Sequence, residues 1–248
     1  MIVPDHDLSD WVTPPVQLAL PESTIHVWLI SLSQRGHVYK SLTGLLSSSE
    51  QERAARFKFD QHRQRFVVAH AALRSILSQY LKTTPLNVQF VNGPNGKPKL
   101  AEEFARSDVR FNLSHSFDLA LLAVIRGREI GIDVELVKED YAFEDVAARF
   151  FTAEELAAFR ALPVHLQRQG FFKCWTSKEA FLKAKGTGLS GKLDEVEITL
   201  SSEQRVLINA SVAGWTLSEV NPGNNYEAAL VIEGGAMPIE CYRWEWVK

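Results

Sequence analysis

Residues 110–137, RFNLSHSFDLALLAVIRGREIGIDVELV, constrain this chain more than any other stretch, because they place two dense polar sites inside sequence that otherwise reads as buried strand. The sites are Ser114-His115-Ser116 and Asp133-x-Glu135. Successive side chains on a β-strand point to opposite faces. Ile130, Ile132 and Val134 therefore share one face, and Gly131, Asp133 and Glu135 share the other. Two carboxylates held side by side repel each other and drive one pKa up unless a cation lies between them. Oxygen-only donors with no His or Cys nearby point to magnesium. The alternative is a pair of edge-strand charges facing water. Gly131, on the carboxylate face, leaves room for a ligand to approach closely.

At 248 residues the chain is long enough for one large domain or two small ones. Hydrophobic residues at 46% and charged residues at 23% describe an ordinary soluble globular protein. The formal net charge of -3 argues against nucleic acid as a partner, so any anionic ligand must be met by a local basic cluster. Cys174 and Cys241 lie in apolar surroundings without metal-ligand spacing. They read as reduced core residues of a cytoplasmic protein. The start, MIVPDHDLSDW, lacks the basic and apolar regions of a signal peptide, and no stretch is long enough for a membrane span.

The first twenty-odd residues, rich in Pro and Asp, read as a loosely attached arm. A strand follows over residues 25–30. Ser49 with Glu52 fits a capping box for a short helix, and Asp60 fits the cap of a longer one whose apolar positions run from Phe66 to Tyr80. Asn87 to Val91 reads as a strand, and NGPNGKPK as a loop. Strands at about 110–114 and 118–125 lead to Arg126-Gly127-Arg128, the expected domain boundary. Beyond it come the Asp-x-Glu strand, helices at about 143–149 and 152–161, the second with a Thr152/Glu155 capping box, and a long helix from Leu166 to Lys185 stopped by Gly186. Short strands follow from Val196, around a turn at 221–225, and Trp244 and Trp246 alternate like core strand residues. The expected class is α+β. It has two similar halves, residues 1–126 and 127–248, each a long helix packed on a small, mostly antiparallel sheet.

Three further constellations carry chemistry. Glu179 and Lys183 lie four apart and share a helix face, with Lys178 beside it. A surface salt bridge is the plain account, but the flanking Phe171, Phe172, Trp175, Phe181 and Leu182 bury much of the helix and set the pair at the border of a cleft. Ser114, His115 and Ser116 offer donors converging on an anion, and no nucleophile elbow surrounds either serine. Arg53, Arg56, Lys58, Arg63, Arg65 and Arg74 divide between solvated faces and a phosphate site. The GKPK loop is too short for a P-loop.

In order and approximate spacing, RFKFDQHRQRFVVAHAALR, NGKPKL, FNLSHS, IGIDVE, RFFTAEE and FKCWTSKEAFLKAKGTGLS resemble the Sfp-type 4'-phosphopantetheinyl transferases, over residues 49–191. The resemblance implies a pseudo-two-fold pair of α/β halves with coenzyme A bound between them. It implies that Asp133, Glu135 and Glu179 hold Mg²⁺ at the pyrophosphate. Ser114, His115 and Lys183 would contact phosphate oxygens, and Lys97 with Pro98 would lie along the nucleotide. Arg53 and Arg65 are the best matches for the 3'-phosphate site, with Arg56 and Arg63 as neighbours; Glu50 stands where some members have a lysine.

By that resemblance, a serine of an acyl or peptidyl carrier protein attacks the β-phosphate and expels 3',5'-ADP, in a reaction that needs mostly positioning and charge neutralisation. Glu179, Lys183 and His115 are the expected catalytic residues, with Glu179 as the base and Glu155 second to it, though a capping role suits Glu155 better. A double-length chain implies an active monomer. The carrier could belong to a fatty acid synthase, a polyketide synthase or a peptide synthetase. The competing functions are a non-catalytic module retaining a coenzyme A cleft, and a magnesium-dependent hydrolase of nucleotide pyrophosphates.

Overall fold

The computed structural model describes residues 11–34, 37–93, 95–188, 198–202, 206–210, 213–223 and 225–246. Alternation of Ile25, Val27 and Leu29 yields strand β1 (Ile25–Ser31), followed by helices α1 (His37–Thr43), α2 (Ser48–Ala55) and α3 (Asp60–Leu81). The capping box of α2 lies two residues earlier than expected. Ser47 has extended backbone and accepts from the Glu50 N–H, while the Glu50 carboxylate accepts from the Ser47 N–H at 2.8 Å. Helix α3 also starts differently. Phe59 holds its cap position without a side-chain bond, and Asp60 is the first helical residue, paired with Arg63 one turn on. Lys82, in left-handed conformation, ends the helix.

Where a strand was expected over 87–91, Pro85–Asn87 forms a turn of 3-10 helix and strand β2 covers only Phe90–Asn92. Proline pre-sets φ for such a turn. The buried Arg74 then fixes it by donating to the carbonyls of Pro85 and Val88 at 3.0 and 2.7 Å. Strand β3 (Pro98–Leu100) pairs with β2, and β4 (Val109–Ser116) and β5 (Leu119–Arg126) form a hairpin.

The remainder runs β6 (Ile130–Leu136), α4 (Phe143–Phe150), α5 (Ala153–Ala161), α6 (Val164–Lys185), β7 (Ile198–Ser202), β8 (Val206–Ala210), β9 (Trp215–Val220), β10 (Tyr226–Glu233) and β11 (Ile239–Trp244). The Thr152/Glu155 capping box of α5 is present with both its bonds. Gly186, at φ 68°, ends α6 in the left-handed conformation that glycine adopts without cost.

The chain divides into two units. One gathers residues 11–93, 98–127 and the C-terminal stretch from 237; the other holds 128–236 and the loop residues 95–97. In the first unit the sheet order is β11-β1-β5-β4, with β11 parallel to β1 and the other neighbours antiparallel. Helix α3 packs on it through Val67, Val68, Ala71, Ala72, Ile76 and Leu77. The last strand therefore lies in the first unit, whereas its position in sequence had placed it with residues 127–248. In the second unit β6-β10-β9 form an antiparallel sheet under α6, whose Phe171, Phe172, Ala180, Phe181 and Ala184 fill the core.

Residues 11–20, expected as part of a loose arm, are fastened to the first unit. Val12 bridges β11, donating to the Cys241 carbonyl at 3.0 Å and accepting from the Arg243 N–H at 2.8 Å. Trp11 and Leu20 are buried. Residues 1–10 of that arm lie outside the described residues, as do Leu189 and Ser190 of the KGTGLS motif, Val196 where the strands were expected to resume, and Asn224 of the 221–225 turn. Cys174 and Cys241 are free and buried, and Trp244 is core. No helix among the described residues is long and apolar enough to cross a membrane.

Candidate active site

The period-two reading of β6 gives its geometry. Gly131 and Asp133 face α6, and Glu135 shares their face of the strand; Asp133 is only 3% exposed, so its carboxylate does not face water. Gly131 plays a different part from the one expected. A Cβ there would meet the backbone of Ala180 and Ala184, so the glycine admits helix α6 and not a ligand. The close approach brings Lys183 onto Asp133, Nζ to Oδ1 at 2.5 Å.

Glu179 lies one turn before Lys183 on α6. Its Oε1 is buried and has no hydrogen-bond partner among the described residues. Burial raises its pKa, the charge of Asp133 raises it further, Lys183 opposes the rise, and Glu135 adds to it. A buried carboxylate oxygen without a donor, beside two further carboxylates, is the signature of a site with spare capacity for a cation. No three His, Cys, Asp or Glu side chains among the described residues are gathered as a ready-made metal cage. The oxygen donors of Asp133, Glu135 and Glu179 fit Mg²⁺ in type, with Lys183 holding one of them.

Two other charges on α6 have separate partners. Lys178, fully buried, pairs with Glu155 at 2.7 Å. Glu155 is buried as well; it accepts from Thr152 N at 2.8 Å in its cap and from Ile198 N at 2.9 Å. With both oxygens committed it is a strut between α5, α6 and β7, the capping role that suited it better. Lys173 contacts Glu219 at 2.5 Å and Glu227 at 3.6 Å. Glu227 stands directly opposite Glu135 in the β6–β10 ladder and also accepts from Gln169 at 3.0 Å. No local pattern signals this second layer of carboxylates, because pairing across strands decides it. A cavity of about 120 Å³ borders the site, lined by Glu135, Lys138, Tyr141, Phe171, Phe172 and Trp175 among others.

In the loop of the second unit Lys97 donates to the carbonyls of Ile130 at 2.9 Å and Ala184 at 3.3 Å and pairs with Glu129 at 3.2 Å. Its ammonium fastens β6 to the end of α6. Asn95 adds a bond to the Gly186 carbonyl at 2.9 Å. Pro98 opens β3 in the first unit.

The Ser114-His115-Ser116 site differs from the expected convergence of donors. Strand β4 continues through Ser116, so its alternation buries Ser114 and Ser116 on one face and turns His115 outward on the other. Phe117, in left-handed conformation at φ 51°, then reverses the chain. Arg65 reaches this turn from α3. Its Nε donates to Asp118 at 2.9 Å and its guanidinium lies over the Phe117 ring at 5.1 Å. Arg53 lies over Phe66 and is exposed, and Arg63 is held by Asp60. Arg74 is neither solvated nor available to phosphate, since Glu50 holds it at 2.6 Å.

Comparison with known proteins decides the family. Residues 129–231 match the model of the 4'-phosphopantetheinyl transferase superfamily, and residues 33–126 match that of the N-terminal part of a 4'-phosphopantetheinyl transferase. The chain is 42% identical over 224 residues to the 4'-phosphopantetheinyl transferase HetI of Nostoc sp., covering 90% of this chain and 94% of that protein. The chain belongs to the 4'-phosphopantetheinyl transferase family. A putative 4'-phosphopantetheinyl transferase of Synechocystis sp. is 36% identical over 217 residues, covering 81% of this chain and 88% of its own. The 4'-phosphopantetheinyl transferase Sfp of Bacillus subtilis is 29% identical over 163 residues, covering 66% and 70%. The chain is thus an enzyme of the phosphopantetheinyl transferase class, and its α+β architecture of two halves is that of the family.

Proposed function

We propose that this transferase moves 4'-phosphopantetheine from coenzyme A to a serine of an acyl or peptidyl carrier protein, with Mg²⁺, in the cytoplasm and as a monomer. The observation that carries this reading is the half-buried cluster on β6 and α6, in which Glu179 keeps a buried oxygen without a donor beside Asp133, Glu135 and Lys183. Asp133, Glu135 and Glu179 would hold the magnesium, which supplies charge neutralisation at the pyrophosphate.

In the reaction the carrier serine oxygen bonds to the β-phosphorus of coenzyme A as the pyrophosphate P–O bond breaks. 3',5'-ADP leaves with that electron pair. Glu179 takes the serine proton directly or through water. Lys183, on a flexible stem, offsets charge on the phosphate oxygens. His115, on the outward face of β4, contacts phosphate. Arg65 and Arg53 take the 3'-phosphate, for which Arg65 keeps its terminal nitrogens after Asp118 has bound its Nε. Lys97, its ammonium engaged by Ile130, Ala184 and Glu129, serves by fixing the loop along which the nucleotide lies. The buried free cysteines suit a reducing compartment.

Release of 3',5'-ADP, followed by chromatography with and without apo carrier, tests the reading. Release is expected only when carrier, coenzyme A and Mg²⁺ are all present. Release without carrier would make the protein a pyrophosphate hydrolase.

A further inference from the structure

Three lysines of α6 are paired with carboxylates, and they differ in how firmly they are held. Lys178 is fully buried against a buried Glu155, and Lys173 lies buried between Glu219 and Glu227. The first pair is enclosed at both ends, and in the second the lysine itself is buried. Lys183 is different: its side chain is 29% exposed while the Asp133 it contacts is buried. It projects from the last turn of α6, before Gly186. An ammonium on a four-carbon stem with access to water can leave its partner, whereas a buried carboxylate cannot be left without a cation except at a high cost.

We infer that Lys183 is a built-in counter-ion that occupies Asp133 in the substrate-free enzyme and yields it to the divalent cation when substrate phosphates give the ammonium another anion. The inference rests on the proposed function and deepens it. Metal arriving alone has to displace an ammonium already seated at 2.5 Å, so it binds weakly. Coenzyme A relieves that competition by drawing Lys183 onto its phosphates. Metal and coenzyme A therefore bind with positive coupling, and each raises the affinity of the other by the same factor. The free enzyme is in this way kept from loading metal without its co-substrate.

The test is Mn²⁺ binding to the full chain, read by electron paramagnetic resonance and calorimetry without any turnover. Wild type, Lys183→Met and Lys183→Gln are compared with and without coenzyme A. The glutamine variant keeps a hydrogen-bond donor for Asp133 and guards against a methionine variant that fails to fold. Without coenzyme A, the folded variants should bind Mn²⁺ at least tenfold more tightly than wild type. Variants that bind no more tightly than wild type, while wild type binds Mn²⁺ in the presence of coenzyme A, would overturn the counter-ion role and leave the proposed function standing. Absence of Mn²⁺ binding in every form, even with coenzyme A, would overturn both.

Discussion

A Cβ placed on Gly131 would stand 2.0 Å from the carbonyl oxygen of Ala180, and 2.3 Å from the amide nitrogen of Ala184. Both obstacles are helix backbone, so no side-chain rotation can relieve the clash. Gly131→Ala must push α6 off β6, carrying Glu179 and Lys183 away from Asp133. A loss of about 3 kcal/mol in stability is expected from this overpacking, read as a lower midpoint in chemical denaturation. Wild-type stability in the alanine variant would show that the helix sits farther from the strand.

Glu155 and Lys178 form a buried pair whose value depends on both members being present. Glu155→Gln leaves a buried ammonium and should cost about 3–5 kcal/mol, whereas Glu155→Leu combined with Lys178→Met should recover most of it. If Glu155 were the base, the single variant would instead remain stable and lose turnover. Denaturation and kcat measured on the same preparations separate these outcomes.

Glu50 links α2 to α3. Burial would raise its pKa, but hydrogen bonds from His70, Arg74 and the Ser47 N–H, with the charge of Arg74, hold it down at about 2 from its ordinary 4.5. The folded pKa lies below the unfolded one, so the stability it contributes is present above pH 4.5 and is lost as the pH falls toward 2. Glu50→Gln should therefore cost about 2–3 kcal/mol at neutral pH and flatten the acid limb of a stability–pH curve. An unchanged acid limb would place the acid-sensitive groups elsewhere.

Much of this arrangement is legible in the sequence because it depends on short-range periodicity. The alternation of Ile130 through Glu135 placed two carboxylates on one face, the Thr152/Glu155 box opened α5, and Gly186 closed α6. What escaped depends on partners far along the chain. Nothing local shows that Gly131 makes room for Ala180, or that Glu227 stands across from Glu135. The Lys97 ammonium is claimed by carbonyls 33 and 87 residues away, which no spacing in the GKPK loop reveals. The geometry of the SHS motif departs from expectation for a smaller reason. Its strand continues two residues farther than expected, and alternation then separates His115 from its serines.

Arg65 tests the nucleotide end of the account. Asp118 fixes its Nε and Phe117 supports its plane, which orients the terminal nitrogens for an anion. Arg65→Ala should raise KM for coenzyme A about tenfold, as expected for one lost charge-assisted hydrogen-bonding partner, and leave KM for 3'-dephospho-coenzyme A unchanged. An equal rise for both co-substrates would assign Arg65 to holding the Phe117 turn.

The most direct measurement is the intact mass of a purified apo carrier protein after incubation with this enzyme, coenzyme A and Mg²⁺, with Asp133→Ala alongside. A gain of one phosphopantetheine on the carrier is expected with wild type, and none with the variant or with chelator. No gain with wild type across acyl and peptidyl carriers, or an equal gain with Asp133→Ala, would contradict the proposed function.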